Sequence, residues 1–161
     1  MEVLERAVAG GGTAVLCQVL SGTGGVGKTQ LAAHYARCSW RDGAVDLVAW
    51  VTASSRESIV SSYGRLGADV AAGDLRDPEQ AAACFLAWAE TTDRRWLIVL
   101  DDLADPADLR GLWPPASPGG QVLITTRRRD AALRGRSRVH IDIGLFTPAE
   151  AASYCWPTGC A

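Results

Sequence analysis

The chain has 161 residues, about one domain's worth, which excludes a repeat array and a large multidomain enzyme. Its 48% hydrophobic and 21% charged residues are typical of a globular protein. With 16 basic and 18 acidic residues the formal net charge is -2, so the chain as a whole lacks the positive field that general nucleic-acid or membrane binding requires, and any affinity for phosphate must be local.

The cysteines and the first residues of the chain indicate an intracellular protein. Five cysteines, an odd number without a C-x-x-C pair, favour neither a disulfide framework nor a zinc site. Glu2 and Glu5 stand where a secretory signal would be basic, and the longest clean apolar run, residues 96–100, is too short to span a bilayer. We therefore expect a cytoplasmic protein without a membrane partner.

Five short apolar runs alternate with helical patterns along the chain. The predicted strands are residues 14–20, 45–52, 96–100, 121–126 and 138–143, and the predicted helices are residues 29–40, 55–72, 78–92 and, more weakly, 106–112. Most of the apolar runs are continuous, as in strands that are covered on both faces. This order predicts an α/β fold with a doubly wound, mainly parallel five-stranded sheet and helices on both faces. Trp50, Trp88 and Trp96 lie inside these elements, and we expect their side chains in the core.

A glycine-rich segment joins the first predicted strand to the first predicted helix. Residues 22–29 read GTGGVGKT and match the phosphate-binding pattern G-x-x-x-x-G-K-[ST] in the strand-to-helix context that its mechanism requires. Glycines let successive backbone N–H groups turn inward around an anion, and the helix N-terminus adds its positive end. The segment predicts a nucleotide phosphate site made of Gly22, Thr23, Gly24, Gly25, Val26, Gly27, Lys28, Thr29 and Gln30.

Two side chains of this segment have individual predicted roles. Lys28 is the only Lys among the 16 basic residues, and we expect its compact ammonium to reach the β- and γ-phosphates. Thr29 is expected to place its hydroxyl on Mg²⁺, a cation that keeps several waters and takes few protein ligands. A glycine-rich turn with an incidental Lys is the alternative interpretation.

Two carboxylates follow the apolar run of residues 96–100. Asp101 and Asp102 stand at the carboxyl end of a predicted parallel strand, where open α/β sheets bind their ligands. We predict that Asp101 is the Mg²⁺ partner and that Asp102 orients or deprotonates an attacking water. An Asp-rich turn that merely ends the strand is the alternative.

The fourth apolar run ends in the sequence ITTR, which again places polar side chains where a strand meets its loop. Arg127 is predicted to contact the γ-phosphate, because a guanidinium grips phosphate oxygens through a bidentate fork. Lys28, Asp102 and Arg127 are thus the predicted catalytic groups. Arg127 also opens a run of six arginines within residues 127–138, so solvated loop charge or a partner surface is the alternative.

The segments GTGGVGKT, WLIVLDD and ITTR, in this order, resemble the nucleotide-binding half of the NB-ARC class of STAND P-loop ATPases, the switch module of plant resistance proteins, apoptosome proteins and many actinobacterial regulators. The resemblance covers roughly residues 13–154, since residues 144–151 are similar to the family's next motif. It implies that the ITTR strand lies between the other two motif strands. It also implies ATP and ADP with Mg²⁺ as cofactors, an ADP-held off state and an ATP-promoted on state.

Several parts of the family pattern are not found in the sequence. These are the upstream V-G-R-like segment that helps to hold adenine, the G-x-P motif, the winged helix and the His sensor of the ADP phosphate. Asp102 also stands where strongly hydrolytic relatives often carry Glu, which implies slow turnover. We expect an N-terminal remnant at 1–12, a P-loop nucleotide-binding domain at 13–146 and a truncated C-terminal helix and tail at 147–161. The expected partners are other proteins, or lid and effector domains that this sequence does not contain.

The leading hypothesis is therefore an ATP/ADP-binding signalling switch with at most slow ATP hydrolysis. A small P-loop kinase that phosphorylates a metabolite is one alternative, and Arg134, Arg136 and Arg138 would be its lid arginines. A nucleic-acid-binding regulator fragment is another, for which residues 127–138, with six Arg and one Asp, are the candidate surface. That interval lacks stacking aromatics and the whole chain is acidic, so nucleic acid is not the expected partner.

Overall fold

The computed structural model describes residues 6, 13–18, 27–70, 76–128, 133 and 138–143. The strands are β1 (Thr13–Gln18), β2 (Leu47–Thr52), β3 (Trp96–Leu103), β4 (Gly120–Thr126) and β5 (Arg138–Ile143), and the helices are α1 (Lys28–Arg41), α2 (Arg56–Val70) and α3 (Pro78–Thr91). A 3-10 helix, Pro106–Leu109, stands where the sequence weakly predicted a longer helix. The predicted segments 1–12 and 147–161 lie outside the described residues, apart from residue 6.

Every strand pair in the sheet is parallel, and the strand order is β2-β3-β4-β1-β5. β4 therefore lies between β1 and β3, which is the arrangement that the family resemblance implied. Parallel neighbours cannot be joined by tight turns, so the helices serve as crossovers. The carboxyl ends of β1, β4 and β3 consequently meet side by side at one edge of the sheet.

Helices cover both faces of the sheet, and β3 shows why its apolar run is continuous. Trp96, Ile98 and Leu100 pack with residues of α2 and α3 in one core, whereas Leu97 and Val99 pack with residues of α1 in a second. All five side chains are fully buried. The predicted parallel α/β sheet is thus confirmed, since a strand without a polar face needs a helix layer on each side.

Of the three tryptophans expected in the core, Trp96 is fully buried and its Nε1 donates a hydrogen bond to the backbone oxygen of Ala89 at 2.9 Å. Trp88 is partly buried and stacks on Phe85. Trp50 is 40% exposed, so its prediction as a core residue is wrong. It belongs to β2, the outermost strand on its side of the sheet, where helices cover the surface less completely.

Within the part of the chain that the structure describes, no helix combines the length and the apolar character that crossing a membrane would take.

Candidate functional site

The N-terminus of α1 opens toward the carboxyl edge of the sheet. Gly27 precedes the helix in the left-handed backbone region (φ 80°), which favours glycine, and its carbonyl accepts the first helical hydrogen bond, from Leu31 N at 2.8 Å. Among the described residues no side chain caps this helix end, and its first turn holds no acidic residue. Its first backbone N–H groups and its positive dipole end can therefore serve an anion.

Eight described residues line a cleft of about 330 Å³ at this helix end, within the size range of small-molecule sites. They come from the start of α1 and from the ends of β3 and β4, and they are Gly27, Lys28, Thr29, Gln30, Asp101, Asp102, Thr125 and Arg127. Every predicted site residue that the structure describes therefore lines one cleft. The remaining predicted residues, 22–26, lie outside the described part of the chain.

Lys28 is the first residue of α1 and is only 9% exposed. A lysine is seldom buried to this extent unless its ammonium has polar partners. Lys28 and the helix N-terminus line the cleft together with Asp101 and Asp102. The cleft thus combines positive groups that suit phosphate with carboxylates that suit a cation.

A β-bulge at the end of β3 brings both aspartates to the cleft. In the register of β3 with β4, the pairing shifts between Leu100 and Leu103, so that Asp101 and Asp102 together face the single residue Thr125. Asp102 has a left-handed backbone conformation (φ 55°), which Asp tolerates better than most residues. Adjacent side chains of a regular strand point to opposite faces, and the bulge breaks that alternation. β3 thus continues through the two aspartates, whereas the sequence predicted that it ends before them.

Asp101 receives two hydroxyl hydrogen bonds on one carboxylate oxygen. Thr29 Oγ1 donates to Asp101 Oδ1 at 2.9 Å, and Thr125 Oγ1 donates to the same atom at 2.6 Å. The oxygen of Thr125 also accepts the backbone N–H of Asp102 at 2.8 Å. Within the described residues, Asp101 Oδ2 makes no hydrogen bond or ion pair. The start of α1 and the end of β3 are therefore joined through one carboxylate.

The pair of Thr29 and Asp101 suits a small, hard cation. A hydroxyl that donates its proton to a carboxylate keeps its oxygen lone pairs for a cation, and the other oxygen of Asp101 can accept from a cation-bound water. Among the described residues, no group of three or more His, Cys, Asp or Glu side chains is placed to hold a metal ion alone. Mg²⁺ bound together with phosphates needs no such cluster, so the donor set is compatible with it.

Asp102 and Arg127 form an ion pair, with 3.6 Å between Asp102 Oδ1 and Arg127 Nε. Their side chains are 56% and 65% exposed. An exposed pair of this kind contributes little to stability, because water screens both charges. A phosphate in the cleft can therefore compete with Asp102 for the guanidinium.

The run of arginines within residues 127–138 is described in part. Arg128 Nη1 lies 3.7 Å from Asp105 Oδ2 and donates to the backbone oxygen of Ala104 at 3.4 Å. The two described arginine side chains of the run, Arg127 and Arg128, therefore engage carboxylates at and beyond the end of β3. Arg129, Arg134 and Arg136 and the side chain of Arg138 lie outside what the structure describes.

Sequence reasoning overlooked Thr125. The polar end of the ITTR strand was recognised, but only Arg127 was selected from it. Thr125 is 1% exposed, lines the cleft, and contacts both the Asp101 carboxylate and the Asp102 backbone. One signal was available. Thr125 stands near the end of the ITTR strand, which was expected to lie beside the strand that carries the two aspartates.

A larger cavity of about 580 Å³ lies between α2 and α3. Its inner wall is mainly apolar and small, with Val60, Gly64, Pro78 and Ala81, and Arg and Glu side chains stand around it. None of the predicted site residues lines it. Its size therefore does not make it the better candidate for phosphate chemistry, which needs converging polar groups.

Comparison with known proteins gives two regulators of similar sequence. The chain is 39% identical over 159 residues to the regulatory protein AfsR of Streptomyces griseus and 37% identical over 148 residues to AfsR of Streptomyces coelicolor. These alignments cover 93% and 87% of this chain but only 16% and 14% of the two regulators. The chain thus spans about a sixth of the length of these relatives.

Two solved structures have a similar fold. CDC6P of Pyrobaculum aerophilum aligns with a TM-score of 0.58 and 17% sequence identity, covering 86% of this chain and 42% of that one. The Aeropyrum pernix ORC2 protein aligns with a TM-score of 0.53 and 17% identity, covering 96% and 47%. At this identity the likeness shows the fold alone.

A family model also matches the chain. The model of the NB-ARC domain matches residues 3–156, which is nearly the whole chain and includes β1 to β5 with the helices between them. The chain therefore belongs to the NB-ARC domain family.

Proposed function

We propose that this chain binds ATP and ADP together with Mg²⁺ and acts as a signalling switch with at most slow ATP hydrolysis. The observation that carries the proposal is the convergence of an uncapped helix N-terminus, Lys28, the Thr29–Asp101 hydrogen bond and the Asp102–Arg127 pair in one cleft. Membership of the NB-ARC family supports nucleotide binding. So does the Aeropyrum pernix ORC2 protein, which was solved in ADPNP-ADP complexes.

The phosphates bind at the start of α1 in this proposal. Gly27 lets the backbone turn into α1, whose first N–H groups bind phosphate oxygens, and Lys28 supplies the charge. Residues 22–26 complete the phosphate loop as the sequence pattern predicts. Gln30 is exposed at the mouth of the cleft and contributes at its rim.

Thr29 and Asp101 hold the cation in this proposal, Thr29 through its hydroxyl and Asp101 through its free carboxylate oxygen. A bound Mg²⁺ would neutralise part of the phosphate charge. Because Thr29 already donates to Asp101, the hydroxyl is oriented with its lone pairs available before any ligand arrives.

Asp102 is the proposed acceptor for the attacking water. Its carboxylate lies at the cleft, half exposed, so it can accept a hydrogen bond from water beside the phosphates. Its side chain is one carbon shorter than Glu, and Arg127 stands 3.6 Å away as a competing partner. Both features favour slow hydrolysis. The shorter side chain reaches less far toward a water, and the ion pair with Arg127 makes the carboxylate a weaker base.

Arg127 gives the switch a way to distinguish ATP from ADP. A ligand can shift a conformational equilibrium only through contacts that differ between states. A γ-phosphate can draw Arg127 away from Asp102, whereas ADP lacks that group, so the proposed ATP and ADP complexes differ at the carboxyl ends of β3 and β4.

The nucleotide-binding unit is proposed to comprise residues 13–146 and to act in the cytoplasm on protein partners or on further domains. The AfsR proteins support a regulatory setting, because both are named regulatory proteins. This chain aligns with a part of each of them. In that setting the nucleotide state would be transmitted to the partner by the segments around Arg127.

Calorimetric titration of ATP and ADP in the presence of Mg²⁺ tests the proposal. Lys28→Ala is expected to weaken ATP at least tenfold, because a buried ammonium at the phosphates is lost. Arg41→Ala is the matched control, since it removes a positive charge from the opposite end of the same helix, where Arg41 pairs with Asp42. Unchanged ATP affinity in a folded Lys28→Ala variant would refute the assignment.

A further inference from the structure

We propose that Thr125 is a positioning residue that holds the carboxylate of Asp101 in its cation-binding orientation. This inference rests on the proposed Mg²⁺-dependent nucleotide binding and adds a residue that touches neither metal nor nucleotide. Thr125 lies in β4 and is 1% exposed, so its hydroxyl is surrounded by protein.

The Thr125 hydroxyl both accepts and donates a hydrogen bond within the bulge. The backbone N–H of Asp102 can only donate, and it donates to Thr125 Oγ1 at 2.8 Å. The hydroxyl proton then goes to Asp101 Oδ1, at 2.6 Å. The main-chain amide of one aspartate thus fixes the direction in which Thr125 serves the carboxylate of the other.

The bulge needs such a partner. An extra residue in a strand leaves its backbone groups without a partner in the ladder, and an unpaired buried N–H is costly. Asp102, with its left-handed backbone, is one of the two residues that face Thr125. The hydroxyl of Thr125 replaces the missing ladder acceptor, so the shape of the bulge and the orientation of Asp101 depend on one atom.

Asp101 is held from two sides, and only one of them belongs to the sheet. Thr29 reaches it from α1 and is itself the proposed cation ligand, whereas Thr125 reaches it from the neighbouring strand. Both bind Oδ1, which leaves Oδ2 for cation-bound water. Without the Thr125 hydroxyl, Thr29 is the remaining described partner of the carboxylate, which can then rotate. The cation would have to order the carboxylate when it binds, which weakens cation binding.

Thr126 provides a matched control in the same strand. It is also fully buried, and its hydroxyl also makes two hydrogen bonds, donating to the backbone oxygen of Leu103 at 2.7 Å and accepting from Arg128 N at 3.0 Å. Neither bond involves Asp101 or Asp102. Thr126→Val therefore removes an equivalent hydroxyl without touching the carboxylate.

The experiment measures ATP affinity as a function of Mg²⁺ concentration for the wild type, Thr125→Val, Thr125→Ser and Thr126→Val. We expect Thr125→Val to need at least tenfold more Mg²⁺ for half of its maximal gain in affinity, because a charged hydrogen bond to Asp101 is lost. Its affinity for ATP in EDTA should stay within about twofold of the wild type, since Lys28 and the N-terminus of α1 are unchanged. Thr125→Ser should need the same Mg²⁺ concentration as the wild type, because it keeps the hydroxyl, and Thr126→Val should need that concentration as well.

A second measurement uses the nucleotide-free protein. Amide hydrogen exchange of Asp102, followed by NMR, should accelerate at least tenfold in Thr125→Val and remain slow in Thr125→Ser and Thr126→Val, because only the first variant removes its acceptor. If Thr125→Val does not fold, Thr125→Ala removes the same hydroxyl without placing a second methyl beside the carboxylate, and both measurements are made on it.

The outcomes separate the two proposals. A wild type that binds no ATP with Mg²⁺ refutes the proposed function, and with it the role of Thr125 toward a cation, whatever the exchange shows. A wild type that binds, together with a Thr125→Val variant of unchanged Mg²⁺ requirement, overturns the positioning role alone. An equal shift in Thr126→Val overturns it as well, because any buried hydroxyl of β4 would then have the same effect.

Discussion

At the scale of single residues, the cleft gives two adjacent carboxylates different surroundings. Asp101 accepts hydrogen bonds from two neutral hydroxyls on one oxygen, and its other oxygen has no partner among the described residues, whereas Asp102 faces the charged guanidinium of Arg127. Environments that differ in this way assign different tasks to chemically identical groups. The proposed division between a cation ligand and a water acceptor follows from this difference.

Substituting each carboxylate tests that division. Asp101→Asn is expected to weaken ATP binding about tenfold in the presence of Mg²⁺ but not in EDTA, because a neutral amide is a poor partner for the hydrated cation. Asp102→Asn should keep ATP affinity within about threefold and lower phosphate release about a hundredfold, the contribution typical of a general base. Calorimetry and a phosphate-release assay measure the two effects. Equal losses of affinity in both variants would contradict the division.

Gly27 offers a test of the backbone at the cleft. An Ala at this left-handed position is expected to cost about 1–2 kcal/mol of folding free energy and to displace the first N–H groups of α1, which lowers ATP affinity. Gly43 has a similar φ of 65° with open space around it, so Gly43→Ala should cost a comparable amount without affecting affinity. Urea unfolding and calorimetry of both variants make the comparison. Normal affinity in Gly27→Ala would mean that these amides do not bind phosphate.

At the scale of elements, local patterns predicted most of the fold because the strands are continuous apolar runs and the helices lie between them. The end of β3 could not be predicted, since the bulge at Asp101 and Asp102 arises from the register with β4, which lies more than a dozen residues away in sequence. Trp50 was misjudged for a related reason. An apolar residue in a strand is buried only if a helix covers its face, and strand order decides that for β2.

The starts of β2 and β3 are joined by an ion pair that predicts a pH dependence. Arg95 Nη2 lies 2.7 Å from Asp46 Oδ1, and hydrogen bonds from the Arg95 side chain and backbone hold the pKa of Asp46 below its ordinary value of 3.8. A lowered folded-state pKa stabilises the protein above the unfolded-state pKa, and the effect is lost as the pH falls through the folded-state value.

Asp46→Asn should therefore lower the free energy of unfolding at pH 7, and the difference from the wild type should shrink toward pH 3, because Asp46 of the unfolded chain becomes protonated below its ordinary pKa of 3.8. Urea unfolding at the two pH values measures it. Asp42→Asn is the control, because the pair of Asp42 with Arg41 joins adjacent, exposed residues and ties no elements together. If the difference in the free energy of unfolding between the wild type and Asp46→Asn grows toward pH 3, the pair of Asp46 and Arg95 does not contribute as described.

At the scale of the whole molecule, the described part of the cleft is lined by groups that suit phosphate better than a base. The walls in the described part of the chain consist of glycine, hydroxyl, amide and charged groups, with no aromatic or aliphatic side chain among them. Tight nucleotide pockets usually bury the base against apolar groups. The motifs predicted residues that line this cleft because each motif is local in sequence, whereas a base site depends on parts of the chain that meet only in the folded protein.

Affinity for nucleotides should accordingly be modest and dominated by phosphate. We expect dissociation constants for ATP and GTP within about fivefold of each other, and a small preference for ATP over ADP that disappears in Arg127→Ala, because one charged hydrogen bond to the γ-phosphate is the differing contact. Calorimetric titrations of the three nucleotides on both proteins measure this. Sub-micromolar affinity with strong adenine selectivity would show that a base pocket is present in the chain.

The position of β1 in the sheet has a consequence for how the protein is made. β1 is the first described strand to leave the ribosome, yet both of its neighbours come last, since Thr13 pairs with Val122 of β4 and with Arg138 of β5. At a synthesis rate of about 5–20 residues per second, roughly 100 residues and therefore roughly 5–20 s separate β1 from its first partner. During that time both edges of an apolar strand are open to neighbouring nascent chains. Chaperone demand during translation should therefore peak before β4 emerges and fall sharply once it has.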